Sequence, residues 1–519
     1  MSASIDIVDA VREQARRRPD APAIRFEGRE TSFADFDRLS SQAAQALRAA
    51  GVKAGERVGV LAKGTDDFFV LWFGALKIGA CLCPVNWRLA PPEIAFVLKD
   101  AGCRALVCGA EYAQVVEGLA AECGLTTIVQ FEPVHPSWPD FRGWIAGQSA
   151  QDPGHAARAD DDVIQLYTSG TTGLPKGVQL TEGNYAALRR SAEAGWGNFD
   201  EGAPVLVAMP LFHVAGANMG LLSLVQGAIA VVLREAAPPA ILEALAAQRI
   251  RHAFLVPALI NMILQMPEVE TADVSSLQGI YYGASPISDE VLLRAQKRFV
   301  GARFVQLYGL TETIGCGTWL PPEAHDPARG KLRACGVPSP EIELRIRTPD
   351  GREAGVGEVG EIEIRSACVM KGYWNRPDAT AEAIDAEGWF RTGDAGYHDA
   401  DGFVFLHDRV KDMIVSGGEN VYPAEVENAL FSHPAVADAA VIGVPDEKWG
   451  EAVKAVVVLR SGMEADAAEL IAHCRERIAG YKAPKSVDFV DVLPRNPSGK
   501  VLRRELRAPY WAGRERQVG

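Results

Sequence analysis

Residues 167–178 read YTSGTTGLPKGV. These twelve residues hold four hydroxyl side chains (Thr168, Ser169, Thr171, Thr172), three glycines (Gly170, Gly173, Gly177) and one lysine, Lys176. The run before them, Val163–Ile164–Gln165–Leu166–Tyr167, is largely apolar, as a buried strand is. A strand opening into a Gly/Thr/Ser loop exposes backbone N–H groups, adds short hydroxyl donors and, here, ends on a cation. A polyphosphate needs those groups: dense donors, little bulk and charge compensation. The string is not a Walker A loop, because Pro175 stands between Gly173 and Lys176 and no GK[ST] occurs. A polar surface turn is the competing reading, and it gives the lysine among the hydroxyls no purpose.

The chain of 519 residues exceeds what one hydrophobic core usually serves, so at least two domains are expected. Its 48% hydrophobic and 23% charged residues are those of a globular enzyme. Fifty-three basic against 67 acidic residues give a net charge of −14, and no lysine or arginine block resembles a nucleic-acid footprint. Arg16–Arg17–Arg18 reads as the solvated face of a helix. The nine cysteines show no CxxC pair and no spacing with histidine that suggests zinc, so free thiols in a reducing cytoplasm are expected. The N-terminus carries acids and no apolar core, so no signal peptide is expected, and the C-terminus matches no anchor. The most apolar region, about Leu206–Leu233, is interrupted by Pro210, His213, Asn218 and Gln226 and reads as strand–helix–strand rather than a membrane span. Peripheral contact with a membrane and homo-oligomerisation both stay compatible with this composition.

Strand-like and helix-like runs alternate: Arg57–Leu61 then Asp66–Ile78, Ala105–Cys108 then Ala113–Ala121, Val205–Met209 and Ala228–Leu233, then Ile241–Gln248. The alternation predicts an α/β fold with mostly parallel sheets. Residues 133–160, rich in Pro, Asp, His and Ser, are expected to form a loop. After about residue 340, short strands between Gly/Asp/Pro turns predict a β-rich subdomain. A compact α+β segment follows Lys411, with a helix expected to start at Pro423. The expected division is residues 1–408 as a large N-terminal domain, 409–411 as a connection and 412–519 as a small C-terminal domain.

Four further strings carry chemistry. YGLTET (308–313) offers the Tyr308 ring, the Thr311 hydroxyl and the Glu312 carboxylate, a group that near polyphosphate usually serves Mg²⁺. WFRTGD (389–394) and DRVKDMIVSGGENVYPAE (408–425) supply Asp394 and Arg409, a carboxylate and a guanidinium able to hold a ribose diol. PRNPSGKVLRRELR (494–507) carries Lys500 after Pro497–Ser498–Gly499. Singly, each of these residues has an ordinary surface or turn explanation.

Together with the opening stretch, in this order and spacing, they resemble the acyl-adenylating, AMP-forming superfamily. That superfamily comprises acyl-CoA synthetases, aryl-CoA ligases, luciferases and peptide-synthetase adenylation domains. The similarity runs from about residue 5 to about residue 510. It looks nearest to bacterial fatty-acyl-CoA synthetases, through KDMIVSGGENVYPAEVE, VIGVPDEKWGE and YKAPK. The resemblance implies two steps. A carboxylate attacks the α-phosphorus of ATP, giving acyl-AMP and pyrophosphate; the thiol of coenzyme A then takes the acyl group and releases AMP.

It also implies roles. Thr168, Ser169, Gly170, Thr171, Thr172, Gly173 and Lys176 would cradle the β- and γ-phosphates. Thr311 would bond the α-phosphate, and Glu312, with Thr168, would hold Mg²⁺. Gly283, Ala284, Ser285 and Tyr308 would sandwich the adenine, and Asp394 and Arg409 would hold the ribose. Lys500 would bridge the acid carboxylate and the α-phosphate, and His213, in PLFHVAG, would stand at the mouth of the acid pocket. Lys411 would be the hinge of a mobile C-terminal domain that brings Gly417 and Gly418 to the pantetheine channel. Lys482 and Lys485 are candidates for a phosphate of coenzyme A.

Segments 213–225, 280–286 and 306–320 should line the acid pocket, and none contains lysine or arginine. A second substrate carboxylate would lack a partner there, which disfavours malonate-like acids. A medium- or long-chain fatty acid is the first expectation, then an aryl, phenylpropenoid or steroid-derived acid. Leu307, where many relatives have glycine, would narrow the pocket if its side chain entered it. Adenylation with transfer to a separate carrier protein is the competing enzymatic reading; a catalytically silent nucleotide-binding protein is the competing non-enzymatic one.

Overall fold

The computed structural model describes residues 6–168, 175–409, 412, 414–416, 419–421, 423–446, 449–495 and 501–512. Two large sheets lie at its centre. One has nine strands and runs, in spatial order, from Val337–Pro338 through Thr318–Leu320, Arg303–Tyr308, Gly279–Gly283, His252–Phe254, Pro204–Val207, Ile229–Val232 and Pro22–Phe26 to Arg29–Ser32. Its six inner strands are parallel, and antiparallel strands close both edges. The other has seven: Gly372–Tyr373, Lys176–Thr181, Asp162–Thr168, Cys81–Pro84, Arg57–Leu61, Ala105–Cys108 and Thr127–Gln130. It too is parallel apart from its first two strands. The expected α/β class is the one found.

Two helices hold the sheets together. Asp66–Leu76 starts where the Thr65 hydroxyl accepts from the Asp67 N–H, and every residue in it is buried. Val214–Val225 packs on the strands Pro204–Val207 and Ile229–Val232 of the nine-stranded sheet. A helix apolar all round belongs between layers, and Gly220 shows how close the approach is: a Cβ there would stand 2.2 Å from the Phe69 ring. Phe68, Phe69, Trp72 and Phe73 fill the space on the first helix with edge-on contacts.

A four-stranded antiparallel sheet (Glu343–Arg347, Gly360–Arg365, Phe390–His398, Val404–Arg409) forms the β-rich part expected after residue 340. Beyond it, Ile414–Ser416 begins a five-stranded sheet with its own apolar cluster around Ile414, Val426, Leu430, Val441 and Val453. The helix Pro423–Phe431 begins on its proline, as expected. One expectation fails: residues 133–160 are not all loop, because Phe141–Ala146 is helical. Asp140 caps it by accepting from the Gly143 N–H at 2.8 Å, and Phe141 and Ile145, four apart, are fully buried. The polar composition around this turn masked its two anchors. The nine cysteines are all buried and free. Among the described residues no helix is long and apolar enough to cross a membrane.

Candidate active site

The residues singled out in the sequence sit mostly at the carboxyl ends of parallel strands, where open α/β sheets place ligands. Thr168 ends Asp162–Thr168, Gly283 ends Gly279–Gly283, Tyr308 ends Arg303–Tyr308, and His213 follows Pro204–Val207 to cap the helix Val214–Val225. The two sheets meet here, because the strand Lys176–Thr181 lies against the short turn Thr311–Thr313.

Thr168 and Lys176 are direct partners across an antiparallel pair, so hydroxyl and ammonium leave the sheet on one face. Both are half-buried. Ser169, Gly170, Thr171, Thr172 and Gly173 lie outside the described residues. Buried contacts fix the supporting strand: the Arg57 guanidinium donates to Gln165 at 2.9 Å, pairs with Asp162 and stacks on Trp374, 3.4 Å from the ring centre.

Glu312 is 9% exposed, and its Oε1 accepts from the Tyr373 hydroxyl at 2.9 Å. The Lys176 ammonium stands 4.9 Å from the centre of the same Tyr373 ring. Tyr373 therefore ties the carboxylate of one motif to the lysine of another. It reaches this place because Gly372–Tyr373 pairs with Val178–Gln179 as the edge of the seven-stranded sheet. The sequence reading missed it; the aromatic in KGYW was its signal.

Tyr308 and Asp394 also meet: the phenol donates to Asp394 Oδ2 at 2.9 Å, both groups being buried. Burial, with the Asp394 carboxylate beside it, holds the Tyr308 hydroxyl protonated far above the usual phenol range. Asp394 is the register partner of Arg409 on the neighbouring strand, so the backbone sets the expected pair side by side. Gly283 is register partner to Leu307, and a Cβ on Gly283 would stand 2.1 Å from the Leu307 carbonyl oxygen, so only glycine fits. Ala284 follows in the left-handed region, φ +64°, and is exposed; Ser285 is half-buried.

His213 is held neutral, its pKa pushed down to about 4 by burial, with the positive Arg88 nearby adding to the effect. Its Nε2 is buried and has no hydrogen-bond partner among the described residues. Val214, Ala215, Leu307, Leu310 and Gly315 around this end are half-buried, an apolar surface partly open to solvent. Asn218 is 7% exposed and donates from Nδ2 to the Ile314 carbonyl at 2.8 Å. Sequence reasoning had not given it a role.

Lys482 is already spoken for: its ammonium bonds both Glu425 carboxylate oxygens, at 2.7 and 2.8 Å. Lys485 donates to the Gly480 carbonyl at 3.2 Å. Lys411, Gly417, Gly418 and Lys500 lie outside the described residues. Among the described residues no three His, Cys, Asp or Glu side chains gather as a metal cage. Glu312 and the Thr168 hydroxyl are oxygen donors of the kind that could hold Mg²⁺ shared with phosphates.

The sequence pattern of the AMP-binding enzyme family matches residues 11–374, and that of the AMP-binding enzyme C-terminal domain matches residues 425–500. The fatty acid–[acyl-carrier-protein] ligase ScoC of Streptomyces coeruleorubidus is 40% identical over 516 residues, covering 99% of this chain and 98% of ScoC. The feruloyl-CoA synthase of an Amycolatopsis species is 40% identical over 500 residues, covering 96% and 97%. The solved structure of ATP-bound MatB from Rhodopseudomonas palustris superposes with a TM-score of 0.89 at 29% identity, covering 98% of this chain and 99% of that one. With the phosphate-loop strand, the Glu312 turn and the Asp394–Arg409 pair at one place, the chain belongs to the AMP-binding enzyme family and is an ATP-dependent acid–thiol ligase of the acyl-CoA synthetase type.

Proposed function

We propose that the enzyme joins a monocarboxylic acid with an uncharged, largely apolar body to coenzyme A. A medium- or long-chain fatty acid stands first, and an aryl, phenylpropenoid or steroid-derived acid second. One observation carries the reading: Lys176, Glu312 and Tyr373 meet in a single cluster, with the half-buried apolar residues behind His213 following directly. Segments 213–225, 280–286 and 306–320 hold no lysine or arginine for a charged second group on the acid; the cation beside His213 is Arg88, which lies outside these segments.

The roles follow from charge. Attack of a carboxylate on the α-phosphorus brings two anions together, so placed donors and cations must offset the repulsion. Residues 168–176 take the β- and γ-phosphates, Thr311 the α-phosphate, and Lys500 the acid carboxylate and the α-phosphate together. Mg²⁺, held by Glu312 and Thr168, would supply further neutralisation when bound. Tyr308 and the 283–285 segment receive the adenine, and Asp394 with Arg409 the ribose. The connection at 409–411, with Lys411 as hinge, lets residues 412–519 turn between half-reactions and bring Gly417 and Gly418 to the thiol channel.

Tyr373→Phe keeps the ring under Lys176 and removes the hydroxyl that orients Glu312. The KM for Mg·ATP should rise about five- to tenfold, with kcat changed less. Initial rates of pyrophosphate release against Mg·ATP measure this, and an unchanged KM would leave Tyr373 a packing residue.

AMP release over C4 to C18 fatty acids, benzoate, ferulate, a steroid side-chain acid and malonate tests the function. Turnover that requires coenzyme A, is strong on one uncharged class and is absent on malonate is the expected result. A second reading has support of its own, since the 40% identical relative ScoC is an acyl-carrier-protein ligase. Acyl-AMP that accumulates with coenzyme A and discharges only onto a phosphopantetheinylated carrier protein would select that reading.

A further inference from the structure

The carboxylate of Asp100 is used at both oxygens, on two segments far apart in the chain. Oδ2 accepts from the Tyr167 hydroxyl at 2.7 Å, and Oδ1 accepts from the Arg376 guanidinium at 2.7 Å. The Asp100 backbone carbonyl accepts from the Trp374 indole N–H at 2.9 Å. Asp100 lies near the end of the helix Pro91–Ala101, and its side chain is 10% exposed. Burial above all holds the Tyr167 hydroxyl protonated far above the usual phenol range, so it stays a donor to the carboxylate.

These contacts close into a ring. Gln165 donates to the Tyr167 hydroxyl at 3.0 Å, Arg57 donates to Gln165 at 2.9 Å and stacks on Trp374, and Trp374 returns to Asp100. The ring meets the strand Lys176–Thr181 at Gly177, the register partner of Tyr167. A Cβ on Gly177 would stand 2.7 Å from Gln165 Nε2 and 3.0 Å from the Tyr167 ring, and its carbonyl accepts from the Trp374 N–H at 2.7 Å. Successive side chains of a strand point to opposite faces, so Gln165 and Tyr167 face away from the Thr168 hydroxyl. The ring therefore braces the strand from behind. Each segment it grips carries a site residue next door: Tyr167 precedes Thr168, Gly177 follows Lys176, and Trp374 follows Tyr373.

We propose that Asp100 is a positioning residue for the nucleotide: from behind the sheet it holds Tyr167 and residues 374–376 together, and so sets the spacing of Thr168, Lys176 and Tyr373. The inference rests on the phosphate reading of residues 168–176 above and deepens it. A carboxylate serves two donors through two acceptor oxygens. An asparagine of the same shape has one, and its NH₂ end would face a donor.

Asp100→Asn and Tyr167→Phe keep shape and test this, through nucleotide titrations of the full chain in the absence of acid. On the phosphate reading, ATP reaches residues 168–176 through its β- and γ-phosphates, and AMP lacks both. Affinity for Mg·ATP should fall about tenfold in each variant, while affinity for AMP stays near wild type. The double variant should lose little more than the worse single one, since both remove the same link. In turnover, the KM for Mg·ATP should rise with kcat changed less. A residue that only stabilises the fold would weaken both nucleotides alike, so equal losses for ATP and AMP overturn the inference. Unchanged Mg·ATP affinity in either variant overturns it too. Should the asparagine protein fold poorly, Tyr167→Phe, which removes a single oxygen, carries the test. Lys176→Ala separates the two failures. Lost Mg·ATP affinity there, with none lost at Asp100 or Tyr167, sinks the Asp100 role alone. A Lys176→Ala protein that binds Mg·ATP like wild type sinks the phosphate reading and this inference with it.

Discussion

Replacing Lys500 by alanine should lower acyl-adenylate formation by about 10²–10³-fold, the loss seen when one placed donor to a developing anion is removed. Transfer of a supplied acyl-adenylate to coenzyme A should continue near the wild-type rate. The reason is electrostatic. The acid arrives as an anion at an α-phosphate already flanked by negative charge, and segments 213–225, 280–286 and 306–320 offer no lysine or arginine. On the reading proposed above, Lys176, which stands across from Thr168 and over Tyr373, serves the far end of the triphosphate. On the same reading, Lys500 is what bridges acid and α-phosphate, and it has no task once the adenylate exists. Acid-dependent pyrophosphate exchange reads the first half-reaction, and thioester yield from synthetic acyl-AMP reads the second. Equal losses in both would take the bridging role away from Lys500.

Asp394→Ala should raise the KM for ATP by about a hundredfold and also destabilise the protein by about 1–3 kcal/mol. Two effects share one carboxylate. Toward the nucleotide, in the proposed role, it would accept from ribose hydroxyls, and hydrogen bonds to a charged group are the strong kind. Toward the protein, it accepts from the buried Tyr308 hydroxyl at 2.9 Å, which alanine would leave without that acceptor. Asp394→Asn separates them. The amide oxygen can still accept from Tyr308, so thermal unfolding should stay near wild type, while the KM for ATP rises about tenfold through loss of charge. Nucleotide titrations and melting curves on the two variants suffice. An asparagine variant that binds ATP like wild type would confine Asp394 to supporting Tyr308.

The class of fold was readable because burial leaves a local imprint. The strand Arg57–Leu61 is buried throughout and the sequence predicts it to the residue, and the helix Asp66–Leu76 has Thr65 and two acids at its start. The strand that carries Thr168 was legible for the same reason, since the run Val163–Tyr167 is largely apolar. The helix Phe141–Ala146 was not, because its two buried anchors sit in a polar stretch too short for periodicity to show.

Contacts between distant segments leave no such imprint. Tyr373 and Glu312 are 61 residues apart, and Asn218 and Ile314 are 96 apart. The aromatic in KGYW draws the eye to Tyr373 but does not say that a two-residue strand will add it to the edge beside Lys176, and nothing near Asn218 says that its amide goes to the turn at Ile314. By itself the sequence determined the α/β layers, the order of the motifs and the chemistry each could bring, because hydrophobic periodicity and side-chain functional groups are local properties. Only the tertiary structure decided which groups touch, among them Lys482 and Glu425. Hydrogen-bond partners are chosen by how sheets and turns pack together, long after the local pattern has done its part.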